Sequence, residues 1–247
     1  MHSAADKNAN RDDGPVGSRR VANPDTCAGL SITRFDREGA QRLPFLSASS
    51  LLGLPPAETG AYTLLADGIR QFGDDTSGDL RELWRRLVFS LLASNYDDHL
   101  RNHGFLMRVP GKWSLSPAYD LNPVPEIERA QLPKTAITED QDEPSIDAAI
   151  AAAPRFGLKT GTAKTIVREV FSAVSNWRKT AEKLRIPLCT LDAYASAFEH
   201  PFMIKRASSP EISAVIRSST LLKDLQTEVA KFEDNLRADA PRPSGYR

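Results

Sequence analysis

The sequence predicts a mainly α fold of the α+β class, in which a small β-hairpin stands among helices. The first observation is an apolar repeat at helical spacing over 79–93. The second is a pair of strand-like runs, 104–109 and 112–115, joined at 110–111 by a Pro-Gly pair that favours a turn. The third is another long helical repeat over 162–184. A chain of 247 residues with 40% hydrophobic content is long enough for one main domain.

The first third of the chain predicts short elements behind a polar leader. Residues 1–28 carry too little apolar surface to offset the entropy of ordering, so we expect a disordered leader. A strand is predicted at 30–33. Residues 43–54 are typical of a strand followed by a short helix that Gly53 closes. Apolar residues at helical spacing predict a helix over 62–72.

The clearest predicted helix, over 79–93, leads directly into a polar loop that begins at Ser94. Its apolar stripe consists of Leu80, Leu83, Trp84, Leu87, Val88, Leu91 and Leu92. Asp79 with Glu82 resembles a capping box, which indicates a start at Asp79. We expect this helix to be buried and to position the loop.

Beyond the hairpin, the chain alternates between a long loop and helices. Several prolines and acidic residues over 123–144 predict a loop of the length that is often tied to function. Helices are predicted at 145–153, 162–184 and 188–198.

The domain boundaries follow from the same composition. Residues 29–236 form the predicted domain, whose last part contains further apolar helical repeats. The polar, proline-containing residues 237–247 form a predicted disordered tail.

Charge and cysteine content exclude several classes of function. Lys plus Arg and Asp plus Glu are both 32, so there is no net field to attract nucleic acid, and direct DNA binding is not expected. Two distant cysteines, Cys27 and Cys189, indicate neither a disulfide framework nor a metal site. No apolar run has the length of a signal peptide or a membrane helix, so we expect a soluble cytoplasmic protein without membrane contact.

Three side chains carry the predicted chemistry. Asp97 stands five residues before Asn102, and Asp120 follows after the hairpin. This is the spacing of phosphoryl-transfer enzymes of the protein-kinase type, where the first Asp accepts the proton of the attacking hydroxyl. The Asn and the second Asp hold the Mg²⁺ that bridges the nucleotide phosphates, which suits their oxygen ligands. Because a hairpin returns the chain, Asn102 and Asp120 can lie close together.

Zinc-hydrolase, P-loop and dinucleotide-binding chemistry are disfavoured because the sequence lacks residues that their motifs require. His99 and His103 have the i, i+4 spacing of zinc hydrolases, but Leu100 stands where that motif needs a Glu. The sequence also contains no Gly-x-Ser-x-Gly elbow, Walker loop or Gly-x-Gly-x-x-Gly cradle. These absences argue against hydrolase, P-loop and dinucleotide-binding functions.

Three motifs in order resemble a known family. They are Asn-Tyr-Asp-Asp-His-Leu-Arg-Asn at 95–102, Ser-Pro-Ala-Tyr-Asp-Leu at 116–121 and Arg-Phe-Asp-Arg at 34–37. Together they resemble the HipA-like toxin serine/threonine kinases of bacterial toxin–antitoxin systems, over about 30–200. The sequence departs from the family's usual Thr or small residue at Tyr96, and from its usual Lys at Arg101, where a guanidinium can still meet phosphate oxygens.

The resemblance implies a protein-kinase-like C-terminal lobe whose small hairpin carries the metal site, with ATP and Mg²⁺ as cofactors. Phe35 and Asp36 would contribute to the adenine and ribose pocket, and His99 and Arg101 would lie at the phosphates. The implied partners are a helix-turn-helix antitoxin and a protein substrate in translation.

The resemblance also raises alternatives. A kinase needs a small lobe in front of its hinge, and only a short stretch precedes Arg34. We therefore expect an absent N-terminal lobe, which a separate small-lobe subunit could supply, and a chain that is inactive alone. The chain could instead be a catalytically silent binding module that docks an antitoxin or a substrate. A third reading is a small-molecule phosphotransferase, although such enzymes usually carry His where Asn95 stands.

Overall fold

The computed structural model of the protein describes residues 18–23, 26–32, 34–55 and 59–199. Within them the fold is mixed α/β, with more residues in helices than in strands. The chain divides into two compact units, 1–199 and 200–247. The second unit, with the predicted late helices and tail, lies outside the described residues. The predicted boundaries at 28 and 236 stay predictions, and the structure describes strands at 18–23 and 26–32, on both sides of the first boundary.

The strands are short and pair mainly as antiparallel hairpins. In chain order they are β1 Ser18–Asn23, β2 Thr26–Ile32, β3 Arg37–Glu38, β4 Gln41–Arg42, β5 Phe45–Ser47, β6 Gly60–Ala61, β7 Gly104–Val109, β8 Lys112–Leu115 and β9 Thr135–Ala136. β1 pairs with β2, and β3 with β4. The three-stranded sheet has the order β5-β7-β8, and β6 pairs with β9 in parallel.

The sheet β5-β7-β8 confirms the predicted hairpin at its predicted limits. Phe105 of β7 faces Leu46 on one side and Leu115 on the other. At the turn, Gly111 has a φ of 76°, a conformation that glycine adopts without the strain of a Cβ.

The helices are α1 Ala48–Leu51, α2 Tyr62–Phe72, α3 Thr76–Leu92, α4 Ile146–Ala152, α5 Thr160–Ser175, α6 Trp177–Lys183 and α7 Leu188–Phe198. Single 3-10 turns lie at Leu100–Asn102, Glu126–Glu128 and Ala153–Phe156. The predicted helix over 62–72 is confirmed residue for residue. None of the helices described is long and apolar enough to cross a membrane.

Helix α3 is the centre of the core. It packs against α2, α4 and α5, and against β8 of the sheet. Six of the seven residues in the predicted stripe are buried and Leu91 is half-buried, with Leu83 and Trp84 fully covered. Because α3 is held on several sides, the loop that follows it starts from a rigid support.

The start of α3 differs from the prediction. The helix begins at Thr76, and its cap is Asp75, whose carboxylate accepts a hydrogen bond from Gly78 N at 3.0 Å. The predicted capping box at Asp79 is therefore wrong. Asp79 instead accepts a hydrogen bond from Leu115 N at 2.8 Å and ties α3 to β8. Burial raises the pKa of the Asp79 carboxyl to about 6.

The predicted single helix over 162–184 is also wrong, because the structure divides it into α5 and α6 at Asn176. Asn176 has φ −90° and ψ 12°, and its side-chain nitrogen donates to Ser172 O at 2.7 Å. An Asn side chain that bonds to a nearby carbonyl offers the backbone an alternative to the helix. The apolar repeat continues across this break, so periodicity alone does not reveal it.

Candidate functional site

The site begins where α3 ends. Ser94 has a φ of 51°, and Asn95, which is fully buried, donates its backbone N–H to Ser90 O at 2.9 Å. A left-handed conformation at a residue other than glycine is uncommon and persists where surrounding contacts fix it. The chain therefore leaves the helix in a defined direction.

A second segment lies along this loop in antiparallel fashion. We call 94–104 the motif loop and 116–124 the return segment. Four hydrogen bonds join them: Ser116 N to Gly104 O (2.8 Å), Tyr119 Oη to Arg101 O (2.6 Å), Asn122 N to Asn95 Oδ1 (3.2 Å) and Val124 N to Ser94 O (3.0 Å). Asp120 lies between the second and third of these bonds. In the chain it therefore lies between the residue bonded to Arg101 and the residue bonded to Asn95.

Asp97 presents an exposed carboxylate at the middle of the motif loop. Its side chain is 50% exposed and forms an ion pair with Lys134 of the 123–144 loop. Asn102 is buried, and its side-chain nitrogen donates to Asp97 O at 3.3 Å. The amide oxygen of Asn102 therefore points away from that carbonyl.

Asp120 is exposed and has a φ of 55°, a conformation in which Asp is enriched among residues other than glycine. Its Oδ1 accepts a hydrogen bond from Asn122 Nδ2 at 2.6 Å. Within the described ranges, no three His, Cys, Asp or Glu side chains are grouped as for a metal ion. A pair consisting of Asp120 and Asn102 would supply one carboxylate and one amide, so other ligands would have to come from the substrate or water.

Phe35 reaches the return segment, whereas Asp36 is engaged elsewhere. The Phe35 ring stacks on Tyr119, with centroids 5.6 Å apart, directly before Asp120 in the chain. Burial raises the pKa of the Tyr119 hydroxyl to about 12. The Asp36 carboxylate accepts a hydrogen bond from Arg34 Nε at 2.7 Å, and this guanidinium holds the pKa of Asp36 below its usual range.

His99 and Arg101 are fixed through their backbones. His99 donates its backbone N–H to Asp97 O at 2.9 Å. Its ring Nδ1 is buried and has no hydrogen-bond partner among the residues described. Arg101 is exposed, and its carbonyl is the acceptor for Tyr119. Their predicted side-chain contacts with phosphates stay predictions.

Asp98, next to the exposed Asp97, is the centre of a buried polar network. It accepts hydrogen bonds from Tyr62 and from Ser90 Oγ (3.1 Å), and His103 Nε2 lies 3.2 Å from its other oxygen. Burial by itself would raise the pKa of Asp98, but His103 and the two hydroxyl donors outweigh burial and hold that pKa below its usual value. The network joins α2 and α3 to the motif loop.

Sequence reasoning missed the network and the Lys134 contact. One signal was present, because Ser90 interrupts the apolar face of α3 at helical spacing from Leu83 and Leu87. A polar residue on a buried stripe usually has a partner. Lys134 carries no such signal, because its meeting with Asp97 depends on the path of a loop.

The chain is similar to known proteins in sequence and in structure. The family model for the HipA-like C-terminal domain matches residues 15–177. A putative kinase, Y4dM, of Sinorhizobium fredii is 36% identical over 104 residues, which are 40% of this chain and 25% of that protein. A putative kinase of Haemophilus influenzae is 29% identical over 109 residues, 39% of this chain and 32% of that protein. The chain thus spans a third or less of these relatives.

The fold is similar to a solved toxin–antitoxin structure. A chain in the complex of Shewanella oneidensis HipA, HipB and operator DNA matches with a TM-score of 0.64 and 18% identity. The match covers 83% of this chain and 54% of that chain. At this identity the likeness concerns the fold.

Proposed function

Because the chain belongs to the HipA-like C-terminal domain family, we propose that it carries the base and metal ligands of a serine/threonine protein kinase. The reaction would transfer a phosphoryl group from Mg-ATP to a protein hydroxyl. The observation that supports this most is the set of four hydrogen bonds between the motif loop and the return segment. The names of the two curated relatives are in keeping with a kinase function.

In this proposal Asp97 accepts the proton of the attacking hydroxyl. A protein substrate can reach the half-exposed carboxylate of Asp97. It could not reach a buried carboxylate such as that of Asp98. The backbone of Asp97 is held by His99 N and by the Asn102 amide. A base held in this way needs little rearrangement before it acts.

Asn102 and Asp120 fit a hard cation by their chemistry. The side-chain nitrogen of Asn102 donates to Asp97 O, which leaves the amide oxygen for the cation. Asp120 is an exposed carboxylate on the return segment, which is hydrogen-bonded to the motif loop. Mg²⁺ is usually bound by one or two such side chains plus phosphate oxygens and water. When bound, Mg-ATP supplies the phosphoryl group, and its cation neutralises the developing charge.

For the nucleotide we propose the residues that the family resemblance implies. Phe35, whose ring stacks on Tyr119, would border the adenine. Asp36 would face the ribose, and a hydrogen bond to the ribose would replace part of its contact with Arg34. His99 and Arg101 would lie at the phosphates. The Nδ1 of His99, which is buried and has no partner among the described residues, is in keeping with a donor whose acceptor is a ligand.

The partners belong to the proposal as well. The structural neighbour is part of a HipA–HipB–DNA complex, and we propose a helix-turn-helix antitoxin as the partner of this chain and a cytoplasmic protein of translation as its substrate. Since the relatives are longer than this chain, we propose that its activity requires the remaining part that such proteins contain.

Transfer of labelled phosphate from ATP tests the proposal. The full chain, fused behind the N-terminal part of a HipA-family relative, should phosphorylate itself or an added substrate. Asp97→Asn should lower the rate by roughly 10²–10⁴-fold, because that is the usual contribution of a positioned base. The melting temperature should stay the same, since the Asp97 side chain is half exposed.

Asp140→Asn is the matched control, because Asp140 is an exposed carboxylate on the 123–144 loop that has no role in the proposed chemistry. Equal transfer by the wild type and by Asp97→Asn at equal melting temperature would remove the base assignment. A folded fusion that binds an antitoxin but never transfers phosphate would favour the catalytically silent binding module.

A further inference from the structure

Lys134 is held beside the proposed base by its own backbone. Its N–H donates to Tyr96 O at 3.0 Å, one residue before Asp97. The next two residues, Thr135–Ala136, form β9, which pairs in parallel with β6. Lys134 is thus anchored on the motif loop on one side and in a strand pair on the other, although it comes from the long 123–144 loop.

The side chain of Lys134 has capacity beyond its contact with Asp97. The ammonium group meets Asp97 Oδ1, and the Lys134 side chain is 55% exposed. A lysine ammonium has three N–H donors, so one contact with a carboxylate leaves two for other acceptors. Exposed ion pairs contribute little to stability, so the anchored position of this lysine is poorly explained by folding alone.

The geometry of phosphoryl transfer would place the transferred phosphoryl group close to the Asp97 carboxylate. A substrate hydroxyl that gives its proton to Asp97 lies within about 2.6–3.2 Å of that carboxylate, and the attacked phosphorus lies about 3–3.5 Å from the hydroxyl oxygen. A cation in contact with Asp97 is therefore within reach of the phosphoryl oxygens. These oxygens carry the charge that a kinase must stabilise.

We propose that Lys134 bridges Asp97 and the γ-phosphoryl group of the nucleotide and acts as a catalytic residue at this site. The inference rests on the proposed kinase function. In the reaction the hydroxyl proton passes to Asp97 and the hydroxyl oxygen forms a bond to phosphorus. The bond from phosphorus to the bridging oxygen breaks, and its electron pair stays on ADP. Lys134 keeps its protons and supplies charge and orientation.

Binding measurements test this without relying on activity. Calorimetry on the full chain would give the Kd for Mg-ATP and for Mg-ADP, for the wild type and for Lys134→Ala, Lys134→Arg and Lys179→Ala. Lys179 is an exposed lysine on α6 and serves as the control. Lys134→Ala should weaken Mg-ATP binding by about 10- to 100-fold, the usual effect of losing one charge-assisted contact. Mg-ADP binding should change little, and Lys134→Arg should recover part of the loss.

Each outcome decides the proposal. If the wild type prefers Mg-ATP and Lys134→Ala keeps that preference, the Lys134 assignment is wrong while the nucleotide site stands. If the wild type binds Mg-ATP and Mg-ADP equally, Lys134 does not strengthen binding through the γ-phosphoryl group and the assignment also fails. If the wild type binds neither nucleotide, alone or in the fusion, the proposed function fails and the role of Lys134 fails with it. Melting temperatures of the variants would show whether a loss reflects unfolding.

Discussion

Asp97 and Asp98 are neighbours in the chain, but their carboxylates occupy opposite environments. The Asp97 side chain is half exposed and meets a lysine, whereas Asp98 is 4% exposed and is surrounded by Tyr62, Ser90 and His103. An exposed carboxylate can meet a substrate, and a buried, fully bonded one gives rigidity. In our proposal Asp97 therefore serves the chemistry, whereas Asp98 stabilises the fold around it.

This division predicts that Asp98→Asn destabilises the protein more than Asp97→Asn does. The amide keeps an oxygen for Tyr62 and Ser90 but removes the carboxylate oxygen that lies 3.2 Å from His103 Nε2, and a buried group left without its partner costs roughly 1–3 kcal/mol. Asp97→Asn should change the free energy of unfolding by no more than about 0.5 kcal/mol, as at most surface sites. Urea denaturation of both variants at pH 7 measures this. Equal midpoints would contradict the structural role of Asp98.

The same network predicts a pH dependence. The pKa of Asp98 is lowered in the folded state, so its stabilising contribution is present above the unfolded pKa of about 3.9 and is lost as the pH falls through the folded value. The stability difference between wild type and Asp98→Asn should be largest at neutral pH and should shrink below about pH 4. A difference that stays constant down to pH 3 would exclude this account.

At the residue scale, the sequence predicted that the segments of Asn102 and Asp120 lie together, because the hairpin between them returns the chain. The burial of Asp98 was not readable from the sequence. Spacing shows that two carboxylates are adjacent, but burial depends on packing by α2 and α3. Lys134 was not foreseen because 37 positions separate it from Asp97 in the chain.

At the scale of elements, apolar periodicity predicted the helices that bury one apolar face. It located α2, the body of α3 and α7, and the Pro-Gly turn located the hairpin β7–β8. The early start of α3 and the break at Asn176 depend on single side-chain hydrogen bonds, from Gly78 N to Asp75 and from Asn176 to Ser172 O. Such bonds do not alter the apolar repeat, so the repeat does not reveal them.

The contact between the motif loop and the return segment can be tested through Tyr119→Phe. The phenyl ring keeps the stack with Phe35, but the hydrogen bond to Arg101 O is lost. We expect a loss of about 0.5–1.5 kcal/mol in the free energy of unfolding, measured by urea denaturation. Tyr194→Phe, at a half-exposed position on α7, should change it by less than about 0.5 kcal/mol. An unchanged stability for Tyr119→Phe would show that this bond does not hold the segment.

At the scale of the molecule, the described fold is a helical support that presents two adjacent loops. Helix α3, packed against α2, α4 and α5, fixes the start of the motif loop, and the hairpin returns the chain to it. The sequence predicted this arrangement because the hairpin and the helix are local features. The likeness to the HipA-containing complex supports the fold at low identity. Chemistry is the part that an experiment must decide.

Magnesium-dependent nucleotide binding tests the central claim most directly. Calorimetric titration of ATP into the full chain should give weak binding that strengthens when Mg²⁺ replaces EDTA, because Asn102 and Asp120 offer oxygen ligands to the cation. Asp120→Ala should abolish the magnesium effect, and the exposed loop control Asp140→Ala should retain it. ATP binding of equal strength in Mg²⁺ and EDTA, or a magnesium effect that survives Asp120→Ala, would contradict the assignment of the metal site.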